Sequence, residues 1–269
     1  MTTLITFLGK GRADPSLGYR MACYRFPDGR TEKTPYVGMA LARWLDAKRL
    51  ILLGTPASMW DVLIEHLATA GEEEALRIEL MDAVAASRVD DALLARVKPI
   101  VERAVGRPCV LAVIPNGRDD IEQQAILGVL SREIHDRESV AIDVTHGYRH
   151  LSMIGFAAAR YLRTTHRAKV EGLYYGALDM TPAGDGALTP VLRLEGLDRI
   201  QRWVEAFARF DASGDYAVFA DLLEADGLAP DLAQRLGRAF HFERTLNVRR
   251  AALELVCSDQ TSTVESERR

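Results

Sequence analysis

Nine residues near the middle of the chain, Ile142–His150 (IDVTHGYRH), combine a strand end, a tight turn and a helix start. The apolar run Ser139–Asp143 predicts a buried strand, and Tyr148–Thr165 has the pattern of a helix. The turn Thr145–Gly147 joins them. Such a unit leaves backbone N–H groups free at the helix N-terminus, beside the strand end where open parallel α/β sheets bind their ligands.

The side chains of this turn bring several chemical groups together. Asp143 supplies a carboxylate, Thr145 a hydroxyl, His146 an imidazole and Arg149 a guanidinium. Gly147 allows the backbone to approach a ligand closely. We interpret the turn as the floor of a binding site. For Asp143 we favour capping of the turn over orienting His146, and for His146 we favour a place beside the ligand over catalysis or merely holding the turn.

The same arrangement of strand and glycine turn occurs twice more. Thr2–Leu8 leads into GKGR, residues 9–12, and the apolar run Pro108–Ile114, of a kind buried on both faces, leads into Asn116-Gly117-Arg118. Carboxyl ends of parallel strands meet at one edge of a sheet, so we expect the three turns to converge. Their cationic residues either neutralise ligand phosphates or are ordinary surface charges; they are Lys10, Arg12, Arg118 and Arg149.

Strand and helix patterns alternate along the first two thirds of the chain. The predicted strands are Thr2–Leu8, Arg49–Leu53, Leu76–Met81, Pro108–Ile114, Ser139–Asp143 and Lys169–Ala177. Helices are predicted over Thr34–Ala47 with Thr34 as N-cap, from Ser58 with Asp61 as its capping partner, over Asp90–Val105, from Asp119, and over Tyr148–Thr165. The segment around Tyr24 and Phe26 predicts either a β-hairpin over the site or a surface loop. This alternation predicts an α/β fold with a mostly parallel, doubly wound sheet.

The last third of the chain has a different pattern. We expect residues 1–195 to form the α/β ligand-binding domain and residues 196–257 a small all-helical region. Residues 258–269 are polar, and we expect a disordered tail.

Composition excludes several classes of protein. The net charge of −4 and the pI of 5.9 disfavour extended DNA or RNA binding. Three scattered cysteines lack the spacing of a zinc site or a disulfide framework, and Cys109 reads as a core residue. No Walker loop or dinucleotide fingerprint is present, so no cofactor is expected, and no metal is expected because no cluster of Cys and His has ligand spacing. Neither a membrane span nor a signal peptide is predicted, so we expect a cytoplasmic protein.

Five motifs, in this order, carry a resemblance to a known family: FLGKG, LLGTPASMWD, IPNGRDD, DVTHGYRHLSM and LYYGALD. The chain resembles the DxTHG-motif family of CRISPR-associated proteins, and the resemblance covers roughly residues Thr3–Asp179. The resemblance implies a CARF domain, which has a Rossmann-like fold. It also implies a homodimer that binds cyclic oligoadenylate, as tetra- or hexa-adenylate, the second messenger of type III CRISPR antiviral defence.

The resemblance makes Asp143, Thr145, His146 and Gly147 the signature residues. The full set of candidate ligand-binding residues is Gly9, Lys10, Gly11, Arg12, Asn116, Gly117, Arg118, Asp143, Thr145, His146, Gly147, Tyr148 and Arg149.

Three functions stay open at this point. The protein is a sensor, or a ring nuclease that cuts cyclic oligoadenylate with His146 as the candidate base, or, least favoured, a ligand-activated ribonuclease of the HEPN type. The last reading would use Arg235 and His241, the pair in the helical region with the spacing of that motif.

Overall fold

A computed structural model describes residues 1–10, 21–68, 73–184 and 186–256. The chain divides into two compact units, Met1–Leu194 and Glu195–Arg269. Gly11, Arg12 and the predicted tail at 258–269 lie outside the described residues.

The first unit contains the strands and six of the described α-helices. The strands are β1 (Thr2–Leu8), β2 (Ala22–Arg25), β3 (Thr31–Thr34), β4 (Arg49–Gly54), β5 (Cys109–Val113), β6 (Ser139–Asp143), β7 (Lys169–Gly176) and β8 (Leu188–Arg193). The helices are α1 (Val37–Trp44), α2 (Trp60–Leu67), α3 (Glu74–Ala85), α4 (Asp91–Val105), α5 (Asp120–Glu133) and α6 (Arg149–Thr165).

All described strands join in one sheet with the order β3-β2-β8-β7-β6-β1-β4-β5. The five strands from β7 to β5 in that order run parallel, whereas β8 runs antiparallel to β7. Strands β4 and β5 lie on one side of β1, and the chain then crosses to β6 on the other side of β1. The predicted α/β fold with a mostly parallel sheet is therefore confirmed, and its order reverses between β1 and β6.

Alternating residues of β1 divide the core of this unit into two clusters. Leu4 and Leu8 belong to the cluster that includes α1, α2 and α4, whereas Ile5 and Phe7 belong to the cluster that includes α5 and α6. Because side chains alternate along a strand, helices cover both faces of the central sheet. Cys109 is buried, as predicted, and burial raises the pKa of its thiol to about 12.

The strand predicted at Leu76–Met81 is wrong, because these residues lie inside α3. Leu76, Leu80 and Val84 recur every four residues, which is the helical period, and the segment is rich in the helix formers Ala, Leu and Glu. Only Leu80 of this helix is buried. A short apolar run was therefore mistaken for a strand.

Two predicted helix caps are also wrong. Thr34 ends β3, its hydroxyl oxygen accepts the N–H of Tyr36 at 3.1 Å, and α1 begins at Val37. Helix α2 begins at Trp60 without a side-chain cap among the described residues. Ser58 has another role, described with the site below.

At the sheet edges the structure differs from the expectation in two further ways. The hairpin of β2 and β3 does not cover the site; it pairs with β8, which sequence analysis missed, and extends the sheet. Tyr24 and Phe26 are buried in the core. Strand β5 lies at the other edge, and only Cys109 of its residues is fully buried, so it is not buried on both faces.

The second unit is helical, with α7 (Glu195–Ser213), α8 (Ala220–Ala225), α9 (Pro230–Arg244) and α10 (Val248–Val256). Its aromatic cluster is centred on Phe219, whose ring lies 5.1–5.8 Å from the rings of Phe207, Phe210 and Trp203. None of the described helices in either unit is long and apolar enough to cross a membrane.

Candidate ligand-binding site

The backbones of Gly9 and Gly147 meet where the strand order reverses. Gly9 follows β1 and Gly147 follows β6, the neighbouring parallel strand. A Cβ atom on Gly9 would lie 2.7 Å from the backbone nitrogen of Gly147, which is closer than real Cβ contacts. Open α/β sheets bind ligands in the crevice at this position, so the two predicted turns form its centre.

The turn at Gly147 needs a glycine for its own conformation. Its φ is +109°, which side-chain-bearing residues rarely adopt. Tyr148 then precedes the first residue of α6, and no side chain among the described residues caps this helix. The start of a 17-residue helix is thus open towards the crevice.

The turn after β5 also reaches this edge. The Nε2 atom of His150 donates to the carbonyl oxygen of Asn116 at 2.6 Å. A Cβ atom on Gly117, whose φ is +75°, would lie 3.2 Å from the His150 ring. The predicted convergence is therefore confirmed for Gly9, Gly117 and Gly147. His150 was not among the predicted site residues, since nothing in its local sequence links it to Asn116.

The turn after β4 is hydrogen-bonded to the end of β1, next to the crevice. The Ser58 hydroxyl accepts the N–H of Thr55 at 2.8 Å and donates to the carbonyl oxygen of Leu8 at 2.6 Å. The N–H of Met59 donates to the carbonyl oxygen of Gly9 at 3.2 Å. Ser58 thus holds the end of β1 instead of starting a helix.

Asp143 anchors the signature turn from inside the fold. Its carboxylate is fully buried and accepts the Thr6 hydroxyl at 2.7 Å, the backbone N–H of Thr145 at 2.9 Å and the Thr145 hydroxyl. The Thr145 oxygen in turn accepts the N–H of Gly176 at 2.7 Å. The capping role predicted for Asp143 is confirmed, whereas direct ligand contact by Asp143 or Thr145 stays a prediction.

His146 points into the fold. Its Nε2 atom is buried without a hydrogen-bond partner among the described residues, and its ring packs against the edge of Tyr36, 6.4 Å between centroids. It lines a small cavity together with Thr6 and Met39. Burial lowers the pKa of His146 below its ordinary value, while the nearby negative charge of Asp143 opposes this. His146 is thus placed to support the turn as a neutral imidazole.

This burial makes stability depend on pH. In the unfolded chain His146 gains a proton below its ordinary pKa of 6.5, whereas the folded chain excludes that proton until a lower pH. Stability is therefore fully present above that value and is lost as the pH falls. The parent therefore loses unfolding free energy between pH 7.5 and pH 5.5. We expect this loss to be about 1 kcal/mol smaller in His146→Phe, which has no imidazole to protonate.

Urea unfolding of parent and variant at both pH values measures this difference. His241→Phe is the control, because it makes the same substitution at a histidine that is exposed on α9. Equal pH dependence in the parent and in His146→Phe would contradict the placement of His146.

Three cations lie beside the crevice. Lys10, Arg118 and Arg149 are exposed, and each directly follows or borders one of the glycine turns. In the part of the chain that the structure describes, no carboxylate forms an ion pair with any of them. Nor is any group of three or more His, Cys, Asp or Glu residues there placed to hold a metal ion. The crevice therefore suits a ligand with several negative charges.

Both residues of the predicted ribonuclease pair lie on α9. Arg235 donates to the carbonyl oxygen of Leu253 at 3.3 Å and lies 3.7 Å from the carboxylate of Glu254. His241 is exposed on the same helix, α9. Six residues along a helix correspond to about 120° around its axis, so the two side chains leave α9 in different directions.

Comparison with known proteins gives two findings. Residues 3–179 match the family described as CRISPR system endoribonuclease Csx1, CARF domain. The chain is also 25% identical over 258 residues to CRISPR-associated protein MJ1674 of Methanocaldococcus jannaschii. That alignment covers 88% of this chain and 40% of the relative, so the chain spans well under half of the relative's length. The matched family region includes all three glycine turns.

Proposed function

Because this chain belongs to the Csx1 CARF-domain family of CRISPR-associated proteins, we propose that it is a sensor for cyclic oligoadenylate in type III CRISPR defence. CARF domains in general bind this class of ligand. The observation that carries the proposal is the contact between the Gly9 and Gly147 turns at the point where strand order reverses. This is where the fold offers a crevice with backbone close enough to hold phosphates.

The charges of the site support a phosphodiester ring. Such a ring carries one negative charge per nucleotide and no positive charge. Lys10, Arg118 and Arg149 supply cations around the crevice, while the start of α6 supplies backbone N–H groups. Binding should therefore weaken as salt is added.

The ring itself supports a homodimer. A ring with an even number of identical nucleotides can adopt two-fold symmetry, and a C2 dimer offers the same turns twice across its axis. One ring per two chains is the expected stoichiometry, with the crevices of both protomers facing the ligand.

Binding is better supported than ring cleavage. A general base must reach the proton that it removes, at about 3 Å or through one water. The Nε2 atom of His146 is instead buried, and its imidazole ring packs against Tyr36. Cleavage of RNA by Arg235 and His241 has less support still, since Arg235 is engaged with Glu254.

Calorimetry with cyclic tetra-adenylate and cyclic hexa-adenylate, followed by analysis of the recovered ring and of added RNA, tests the proposal. We expect one of the two rings to bind with one ring per two chains, and both ring and RNA to stay intact. A cut ring would favour the ring nuclease, and RNA cut only with ring present would favour the ribonuclease. If neither ring binds, the sensor proposal is wrong.

Arg149→Gln is expected to weaken binding of the cyclic oligoadenylate by at least about tenfold. Arg149 is the first residue of α6, where a cation and the helix N-terminus would act on the same phosphate. A hydrogen bond to a charged group contributes about 1.5–3 kcal/mol, so its loss gives at least that factor. Calorimetry at two salt concentrations measures the affinity and its salt dependence.

Lys169→Gln is the matched control. Lys169 is an exposed cation at the amino end of β7, whereas the site lies at the carboxyl ends of the parallel strands. The same change of charge there should leave the affinity within about twofold of the parent. Equal weakening by both variants would show that Arg149 acts only through overall charge.

A further inference from the structure

We propose that the stacked aromatic rings of Tyr148 and His150 form a platform for one nucleobase of the bound cyclic oligoadenylate. The inference rests on the proposed function, and it adds the part of the ligand that the glycine turns and cations do not recognise. The turns and cations address phosphates, whereas the bases of an oligoadenylate present flat aromatic faces.

The two rings are already stacked in the protein. Their centroids are 5.6 Å apart and their planes differ by 11°, within the range of favourable offset stacking. Tyr148 has an extended backbone before α6, which allows its ring to lie over the side chain two residues later. Tyr148 is 40% exposed, so much of this aromatic side chain is accessible at the ligand edge.

The lower ring of the platform is held in place. His150 donates from Nε2 to the carbonyl oxygen of Asn116, and its ring lies against the backbone of Gly117. A larger residue than glycine at position 117 would press on this ring. Because His150 is fixed by another turn of the site, the Tyr148 ring is preorganised, and ordering it on binding should cost little entropy.

The position of the platform favours a nucleobase. Tyr148 stands between Gly147, at the centre of the crevice, and Arg149, the proposed phosphate contact. A nucleotide whose phosphate lies at the start of α6 therefore has its base within reach of an aromatic face. Base–aromatic stacking is a recurrent way of holding unpaired nucleotides, and it accepts any base with a sufficient π surface.

Variants of Tyr148 test the platform with a cyclic tetra-adenylate in which one adenine is replaced by fluorescent 2-aminopurine. We expect parent binding to quench this fluorescence through stacking. Tyr148→Leu should weaken binding about tenfold and remove the quenching. Tyr148→Phe keeps the ring and is the matched control, so its affinity and quenching should stay near those of the parent.

A second measurement separates the platform from the sensor function. Saturation-transfer NMR with millimolar AMP probes a single base and phosphate, without a ring or a dimer axis. We expect transfer to the adenine protons in the parent and in Tyr148→Phe, and its loss in Tyr148→Leu.

The outcomes distinguish the two ideas. Equal ring binding and quenching by parent and Tyr148→Leu would overturn the platform and leave the sensor function standing. Weaker self-association of Tyr148→Leu with unchanged ring binding would also overturn it, because Tyr148 would then serve a protein contact. If the parent binds no ring, the sensor function fails, and AMP decides the platform: loss of transfer in Tyr148→Leu supports it, and unchanged transfer overturns it.

Discussion

Valine in place of Gly147 is expected to abolish measurable binding of cyclic oligoadenylate, with a loss of at least about a hundredfold. The φ of +109° at this position is strongly unfavourable for a β-branched residue, so the turn must change its conformation. That change displaces the backbone nitrogen of Gly147, which lies closest to Gly9. It also displaces the start of α6. The ligand would then lose several N–H groups at once, and each hydrogen bond to a charged phosphate contributes about 1.5–3 kcal/mol.

The control for this variant must carry the same backbone strain elsewhere. Gly29→Val meets that need, because Gly29 has a φ of +87° in the turn between β2 and β3, and a Cβ there meets nothing within 4 Å. Both variants should lose about 1–3 kcal/mol of unfolding free energy, but only Gly147→Val should lose binding. Calorimetry on folded samples decides, and parent-like affinity of Gly147→Val would place the ligand elsewhere.

Asp143→Ala should cause the largest loss of stability, about 3 kcal/mol in unfolding free energy. The carboxylate is fully buried and receives hydrogen bonds from Thr6 and from both the backbone and the hydroxyl of Thr145. Its removal leaves the buried Thr6 hydroxyl and the half-buried donors of Thr145 without their acceptor, and a buried group left so costs about 1–3 kcal/mol unless it finds another partner. Because the Thr6 bond joins β1 to the turn after β6, the crevice should also loosen.

Urea unfolding measures this loss, with Asp82→Ala as control. Asp82 is exposed on α3, so its replacement should change the unfolding free energy by no more than about 0.5 kcal/mol. Asp143→Asn keeps an acceptor oxygen of similar size and should lie between the parent and Asp143→Ala. A loss below 1 kcal/mol for Asp143→Ala would mean that the turn does not depend on its carboxylate.

Local patterns in the sequence were enough to predict the central unit of the fold. The apolar run Ser139–Asp143 is β6, and the helix predicted from Tyr148 is α6, starting one residue later. The glycines of the three turns were also recognised, because glycine in a turn between a strand and a helix reports a backbone requirement within a few residues. Since parallel strands share an edge, the convergence of Gly9, Gly117 and Gly147 followed from the fold class.

Other features depend on contacts that no local pattern reports. Leu76–Met81 has the length and the apolar content of a short strand, yet it pairs with no described strand and forms part of α3. Ser58 has the position of a helix cap, but its hydroxyl donates to Leu8, fifty residues earlier in the chain. Strand β8 pairs with β7 and with β2, and β2 lies far from it in the sequence.

The roles of the site's histidines were decided in the same way. His146 and His150 stand four residues apart in one polar stretch, and the sequence marks only the first as part of the signature. In the folded chain the half-buried His146 packs its imidazole ring against Tyr36, with Nε2 out of contact with solvent, whereas His150 donates to the carbonyl oxygen of Asn116. Both partners are distant in sequence, so the direction of each imidazole is set by packing. The residue types at the carboxyl ends of these strands can be read from the sequence, whereas the direction in which each side chain points depends on the tertiary packing.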